Sequence, residues 1–171
     1  GYTDDRIILI VEDDIADNVS NPNKGVIQVT VGGNNVYENV EIDYRMSSLK
    51  AKDILAILNG EKSETLPTVI ESTENDNLFV FWSGHGVPGA MCWDEEPYAM
   101  TGDDLSTVFK DMNLKRRYRK LLMMVEACFS GGVMEQCEGI PGMLFITAAN
   151  GDETSKADVF NGEMKVWMSN R

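Results

Sequence analysis

The stretch KLLMMVEACFSGG, residues 120–132, reads as a buried strand that leads directly into a cysteine and a turn of small residues. Three further short runs of the chain are also nearly continuous in apolar residues. A run that is apolar on both faces is typical of a strand covered from both sides, as in a parallel sheet. The four predicted strands are Arg6–Glu12, Asn77–Ser83, Lys120–Ala127 and Met143–Thr147.

Helical patterns separate these strands. The segment Ser48–Leu58 places its apolar residues near one face, and Gly60 follows as a stop signal. The segment Thr101–Met112 begins with Thr101 and Asp104 at the spacing of a capping box. The alternation of strands and helices predicts an α/β fold with an open, mostly parallel sheet flanked by helices. Two further segments lie outside this pattern: Gly25–Asn39, predicted to be a small hairpin or an excursion on the sheet, and Glu61–Asp76, predicted to be an exposed loop.

The size and charge of the chain restrict its class. Its 171 residues fit one domain, residues 1–171, with a sizeable core. The net charge of -13 repels phosphate backbones, so nucleic acid is not expected as a partner. No apolar run reaches the roughly 18 residues that a membrane-spanning helix needs, so no membrane span is predicted.

The three cysteines, Cys92, Cys128 and Cys137, leave at least one free thiol because their number is odd. One histidine and the lack of a C-x-x-C spacing argue against zinc, and we expect neither a metal nor a cofactor. The acidic run Glu12–Asp14 is an ordinary solvated surface or, as the alternative, a cation site. Cys92 and Cys137 lack a reactive context and are predicted to be structural.

Two candidate catalytic residues follow predicted strands, each beside glycines. His85 comes after the strand Asn77–Ser83, and Cys128 follows the strand that begins at Lys120. Parallel strands present their carboxyl ends at one edge of the sheet, about 4.8 Å apart if the strands are neighbours. An imidazole within reach of a thiol makes a base and nucleophile pair, and the backbone amides of Gly86 and Cys128 are candidate oxyanion donors. On these features alone, a structural histidine and a buried structural thiol remain open as the alternative.

The His85-Gly86 pair, followed about forty residues later by Glu126-Ala127-Cys128-Phe129-Ser130-Gly131, resembles the legumain-like cysteine peptidases. That family also includes the catalytic subunit of the GPI-anchor transamidase, and caspases are more distant relatives with the same sheet. The resemblance covers roughly residues 5–160. Its other matching segments are Glu12–Ala16, Asn21–Gly25, Asn35–Tyr37, Val40–Arg45, Asp53–Leu55, Asn59–Glu61, Lys115–Tyr118 and Thr147–Ser155.

The resemblance implies a caspase-like fold and cleavage of peptide bonds after Asn, less often after Asp, through a thioester on Cys128. In that mechanism His85 acts first as a base and then as an acid. Glu126, Thr154 and Ser155 correspond to the wall of the pocket that holds the residue before the cleaved bond. The implied partners are peptide or protein substrates. Family context favours a secreted or otherwise non-cytosolic location, and self-processing.

One part of the family pattern has no counterpart here. Family members begin with another strand and helix, which carry an asparagine that orients the catalytic histidine and basic residues of the substrate pocket. We therefore expect a domain that is incomplete at its N-terminus, with its C-terminus left open, and that is partnered by the N-terminal remainder of the same domain. Family members also carry an acidic residue at the floor of the substrate pocket. No motif of this sequence matches it, and Asp158 and Glu163 are the candidates.

Three functions stay open on the sequence. The first is an asparaginyl endopeptidase. The second is a transamidase or ligase, which passes the same acyl group to an amine. The third is an inactive homologue that acts as a binding module.

Overall fold

The computed structural model of the protein describes residues 2–11, 16–92 and 99–156. These residues form two compact units, residues up to Lys50 and residues from Ala51 onward, and each unit is described by itself. The expectation of a single domain over residues 1–171 stays a prediction.

The first unit contains a short parallel pair of strands, β1 (Ile10–Val11) and β2 (Tyr44–Arg45). The predicted strand Arg6–Glu12 is too long, because Asp4–Arg6 form a 3-10 turn and the ladder begins only at Ile10. The backbone before Ile10 is held by a side chain instead. The Leu9 amide donates to the Asp43 carboxylate at 2.9 Å, which removes it from any ladder.

The segment Gly25–Asn39 contains no strand, so the predicted hairpin is wrong, and the segment is an irregular loop. The Asn35 side chain organises this loop. Its Oδ1 accepts from the Ile27 amide at 2.9 Å and the Tyr37 amide at 3.1 Å, and its Nδ2 donates to the Gly25 carbonyl at 3.2 Å. An amide side chain that satisfies three backbone groups replaces the ladder that a hairpin would need.

The second unit is built on a parallel sheet in the order β3 (Asn77–Ser83), β7 (Lys120–Glu126), β8 (Met143–Thr147). Three of the four predicted strands are therefore confirmed, and β7 ends one residue earlier than predicted. The central strand β7 is the most buried, with Leu121, Met123 and Val125 almost completely covered. It therefore carries the core of this unit.

The helices α1 (Ala51–Asn59) and α2 (Gly102–Leu114) belong to the same unit. Helix α1 begins later than the predicted Ser48 because Met46–Ser48 form a 3-10 turn. Helix α2 begins at the predicted capping box, in which the side chains of Thr101 and Asp104 bond each other's backbone amides. The buried ring of Phe109 lies 6.3 Å from the ring of Phe145, so α2 covers one face of the sheet.

A short antiparallel ribbon, which the sequence did not predict, follows β3. It consists of β4 (His85–Val87), β5 (Ala90–Cys92) and β6 (Ala99–Thr101) in that spatial order. The short helix α3 (Ser130–Glu135) follows β7. No helix in the described part of the chain is both long enough and apolar enough to cross a membrane.

Candidate active site

The carboxyl ends of β3 and β7 lie side by side. Ser83 pairs in register with Glu126, and the Gly84 amide donates to the Glu126 carbonyl at 3.1 Å. The turns that carry His85 and Cys128 therefore leave the sheet at the same edge, because both strands run parallel.

Gly86 brings these two turns into contact. A side-chain carbon at Gly86 would overlap the carbonyl oxygen of Cys128 and lie 3.2 Å from the Ala127 Cβ. Only glycine can therefore occupy this position. The residue directly after His85 thus packs against the backbone of Cys128.

The turn after Cys128 takes its shape from Phe129 rather than from glycine. Phe129 has φ 55° and ψ 17°, a left-handed conformation, and α3 starts at the next residue. Gly131 and Gly132 do not form this turn, because both lie within α3. At Gly131 a Cβ would lie 3.0 Å from the Ala149 carbonyl oxygen, so this glycine serves close packing against the loop that follows β8.

The loop that follows β8 holds the cysteine turn through several hydrogen bonds. The amide of Gly131 donates to the Ala149 carbonyl at 3.0 Å, and the buried Ser130 hydroxyl lies 3.3 Å from both the amide and the carbonyl of Ala149. The Phe129 amide donates to the Glu153 carbonyl at 2.9 Å. These bonds fix residues 149–153 against residues 129–131.

The thiol of Cys128 points toward the same loop. Its Sγ lies 3.5 Å from the Ser155 carbonyl oxygen, to which the S–H donates. Ser155 is half-buried beside the thiol, whereas the Thr154 side chain is exposed. The structure thus places Ser155, a predicted pocket residue, next to the nucleophile. Thr154 is linked to the site only because it precedes Ser155 in the chain.

Glu126 occupies the last position of β7, two residues before Cys128, and is half-buried. Over residues 2–11, 16–92 and 99–156, no hydrogen bond or ion pair involves its carboxylate. A purely structural role of Glu126 as an ion-pair partner thus finds no support among these residues. A half-buried carboxylate beside a nucleophile can accept hydrogen bonds from a bound group.

His85 is exposed and stands directly opposite Cys92 in the β4–β5 ladder. Within the described ranges, its imidazole makes no hydrogen bond to another residue. The group that would orient this ring is therefore not among them. In enzymes that lack a bound substrate, catalytic hydrogen bonds are often long or unmade, so this geometry is compatible with a base.

The other two cysteines differ in their surroundings, and all three thiols are free. Cys137 is buried, and burial raises the pKa of its thiol to about 11, which fits the predicted structural role. Cys92 is half-buried next to His85 across the ribbon. Its nearness to the histidine was missed because the sequence did not predict the ribbon.

Glu153 lies in the segment Thr147–Ser155 that resembles the family, but the sequence predicted no role for it. The structure shows that its carboxylate accepts from the Asn150 amide at 2.9 Å and that its carbonyl accepts from Phe129. The spacing of three residues between Asn150 and Glu153, as in a capping box, was the signal that could have found it.

The described ranges contain no group of three or more side chains that could hold a metal ion. The acidic run Glu12–Asp14 and the pocket-floor candidates Asp158 and Glu163 lie outside the residues that the structure describes.

The mostly parallel sheet flanked by helices is a caspase-like α/β fold, with a cysteine and a histidine at neighbouring strand ends. A family model described as "Peptidase C13 family" matches residues 1–170. The chain therefore belongs to the peptidase C13 family, the legumain family, as the sequence motifs predicted.

Individual relatives agree with the family match. The chain is 30% identical to legumain of Rattus norvegicus over 172 residues, which is 98% of this chain and 39% of the relative. It is 35% identical to a vacuolar-processing enzyme of Vicia sativa over 161 residues (91% of this chain, 32% of the relative). It is also 35% identical to a hemoglobinase of Schistosoma mansoni over 159 residues (91% and 36%). The chain thus spans 32 to 39% of the length of these relatives.

Proposed function

We propose that the protein is a cysteine endopeptidase that cleaves peptide bonds through an acyl-enzyme on Cys128, with His85 as general base and acid. The contact between Gly86 and the Cys128 carbonyl carries this proposal, because it joins the two turns that hold these residues. Membership of the peptidase C13 family supports the same reaction.

The first half of the reaction forms a thioester. The Cys128 thiol turns from the Ser155 carbonyl toward His85, which takes its proton. The thiolate attacks the carbonyl carbon of the substrate, and the backbone amides of Gly86 and Cys128 stabilise the oxyanion that forms. His85 then donates its proton to the leaving amine as the C–N bond breaks.

The second half releases the product. His85 removes a proton from water, the hydroxide attacks the thioester carbon, and the bond to sulfur breaks. The proton returns to the thiolate through His85. Each cycle consumes one peptide bond and one water, and it releases one carboxylic acid and one amine.

The proposed specificity is for Asn before the cleaved bond, and less often Asp. The Glu126 carboxylate, two residues before the nucleophile, accepts hydrogen bonds from the carboxamide of a bound Asn. Ser155 and Thr154 form the wall on the other side, supported by the contact between the Cys128 thiol and the Ser155 carbonyl. The relatives named vacuolar-processing enzyme and hemoglobinase fit a protease that acts on protein substrates.

Labelling and cleavage with the full natural polypeptide test the reaction. An alkylating peptide probe with Asn at its reactive end should modify Cys128 alone, and the buried Cys137 of the same molecule serves as the internal control. Cys128→Ala and His85→Ala should each abolish cleavage of an Asn reporter peptide. Cleavage that survives Cys128→Ala would contradict the proposal.

The same assay separates hydrolysis from transfer. Amine transfer, which the family resemblance leaves open, is the second candidate, because it passes the same acyl group from Cys128 to an amine. Mass spectrometry of products formed with an added amine distinguishes a free acid from an amide. A folded protein that shows neither labelling nor turnover would support the inactive binding module.

We further propose that the remainder of the protein's own domain covers the open face of the sheet. Phe79 and Phe81 are 47% and 48% exposed, and Leu144 on the same face is 61% exposed. In the described residues, β3 pairs with a strand on one edge only. An open apolar face beside an unpaired edge is a surface that proteins normally cover.

Stability measurements on the full natural polypeptide test this cover. Phe79→Asp and Phe81→Asp should each destabilise it by about 3 kcal/mol, because a charge would enter a covered apolar face. Val31→Asp, at a fully exposed valine in a loop of the first unit, is the matched control and should change little. Neutral effects of both phenylalanine substitutions would show that the face stays open to solvent.

A further inference from the structure

The peptide unit between Cys128 and Phe129 contacts two other segments, the turn that carries His85 and the loop that follows β8. The Cys128 carbonyl and the Phe129 amide belong to the same planar peptide unit. Gly86 packs against the carbonyl oxygen of this unit, and the Glu153 carbonyl accepts from its N–H at 2.9 Å. The orientation of the nucleophile's own peptide therefore depends on the position of Glu153.

The conformation of Phe129 makes this support necessary. With φ at 55°, Phe129 adopts a backbone region that residues other than glycine occupy only when their surroundings hold them there. Its amide hydrogen bond to Glu153 is one such constraint. Loss of that bond would let the peptide relax toward a common conformation and would turn the Cys128 carbonyl away from Gly86.

The Glu153 side chain in turn fixes its own carbonyl. Its Oε1 accepts from the Asn150 amide at 2.9 Å and closes the turn over residues 150–153. One end of this loop is already anchored, because Ala149 bonds Ser130 and Gly131. The carboxylate thus connects the anchored end of the loop to the carbonyl that holds the nucleophile's peptide.

We propose that Glu153 is a positioning residue for the nucleophile, acting through the turn over residues 150–153 and the Phe129 amide. It touches neither the substrate nor the thiol. Its function is to hold the Cys128–Phe129 peptide with its carbonyl against Gly86, which keeps the spacing between the nucleophile and the Gly86 amide. This inference rests on the proposed function, because it assigns a part in the acylation step.

Active-site titration separates positioning from simple stability. The full natural polypeptide is compared as wild type, Glu153→Ala, Glu153→Gln and Asp152→Ala, and turnover is expressed per site labelled by an irreversible Asn probe. Glu153→Ala should lower kcat per labelled site by about 10- to 100-fold with little change in KM, since small displacements of catalytic groups have effects of this size. A residue that only stabilised the fold would lower the number of labelled sites and leave kcat per site unchanged.

Two further variants test whether the loss of rate comes from the hydrogen bond of the Glu153 side chain. Glu153→Gln should restore most of the rate, because the amide oxygen accepts the same hydrogen bond from Asn150. Asp152→Ala removes an exposed carboxylate from the same turn and should match the wild type. An unchanged kcat per site in Glu153→Ala overturns the inference.

Hydrogen exchange provides a readout that does not depend on the variants. In the wild-type protein the amides of Phe129 and Asn150 should be protected, and exchange at the rate of an open loop would overturn the inference even if Glu153→Ala fails to fold. A wild-type protein that is folded but neither labelled nor active overturns the proposed function and this role of Glu153 with it. An active wild type with an equally active Glu153→Ala overturns the role of Glu153 alone.

Discussion

Gly86 and Cys128 are in backbone contact, with no room for a side-chain carbon between the glycine and the cysteine carbonyl. The contact sets the spacing between the histidine loop and the cysteine turn. Because each residue belongs to a different strand end, the spacing is a product of the β3–β7 ladder, in which Ser83 pairs with Glu126.

The first prediction concerns this contact. Gly86→Ala should lower kcat/KM by about 100-fold, because its methyl group would push the oxyanion donors apart. Gly84→Ala is the matched control, since a Cβ there would make ordinary contact at 3.4 Å with Trp82. The measurement is peptide cleavage per labelled site. Equal losses in the two variants would show that the contact between Gly86 and Cys128 does not set the spacing of the oxyanion donors.

The second prediction concerns Arg117, which ties two loops of the second unit together. Its guanidinium donates to the carbonyl of Asn59 at 2.6 Å and to that of Ile70 at 2.5 Å. Arg117→Ala should lower the free energy of unfolding by about 2–4 kcal/mol, because it leaves two carbonyls without their charged donor. Arg117→Lys should restore only part of this, since an ammonium cannot span both carbonyls as a planar fork does.

Denaturant unfolding of the three proteins measures these differences. Arg119→Ala removes an exposed side chain that donates to the Asn77 side chain at 3.1 Å, and it serves as the control. A loss for Arg117→Ala no larger than that for Arg119→Ala would show that the two carbonyls are satisfied in another way.

The third prediction concerns the pH dependence of stability. Hydrogen bonds from Lys115 and Asn59 lower the pKa of the Asp111 carboxyl group. A carboxyl group whose pKa is lower in the folded state stabilises the protein above its unfolded pKa, and this contribution is lost as pH falls through the folded pKa. The free energy of unfolding of the wild type should therefore fall below about pH 4.

Asp111→Asn provides the comparison. The variant lacks the titrating group, so its stability should fall less steeply over the same acid range, as measured by urea unfolding at a series of pH values. Parallel curves for the two proteins would assign the acid sensitivity to other carboxylates.

The fourth prediction concerns the buried thiol. Burial raises the pKa of Cys137 to about 11, so its reactive thiolate is scarce at pH 8 and increases only as pH approaches that value. Iodoacetamide at pH 8 should leave Cys137 unmodified in the folded protein and modify it after denaturation. Peptide mass mapping checks this, and rapid modification in the folded state would mean that Cys137 is accessible.

Much of the second unit could be predicted from local sequence. The predicted strands Asn77–Ser83 and Met143–Thr147 match the structure to the residue, because a short apolar run bounded by polar residues or glycine is typical of a sheet strand. The capping box at Thr101 was predicted from a spacing of three residues. The prediction failed at Arg6–Glu12, where the side chain of Asp43, distant in sequence, takes the amide of Leu9.

The sequence by itself determined the three strands of the parallel sheet, the two longer helices, the family, and the placement of His85 and Cys128 after the ends of two strands. These features depend on neighbouring residues in the chain, whose spacing and polarity are visible directly. The tertiary structure alone decided that Gly86 touches Cys128, that Phe129 rather than a glycine forms the turn, and that Glu153 supports it. Each of these depends on backbone groups far apart in sequence, and only the folded chain brings their donors and acceptors together.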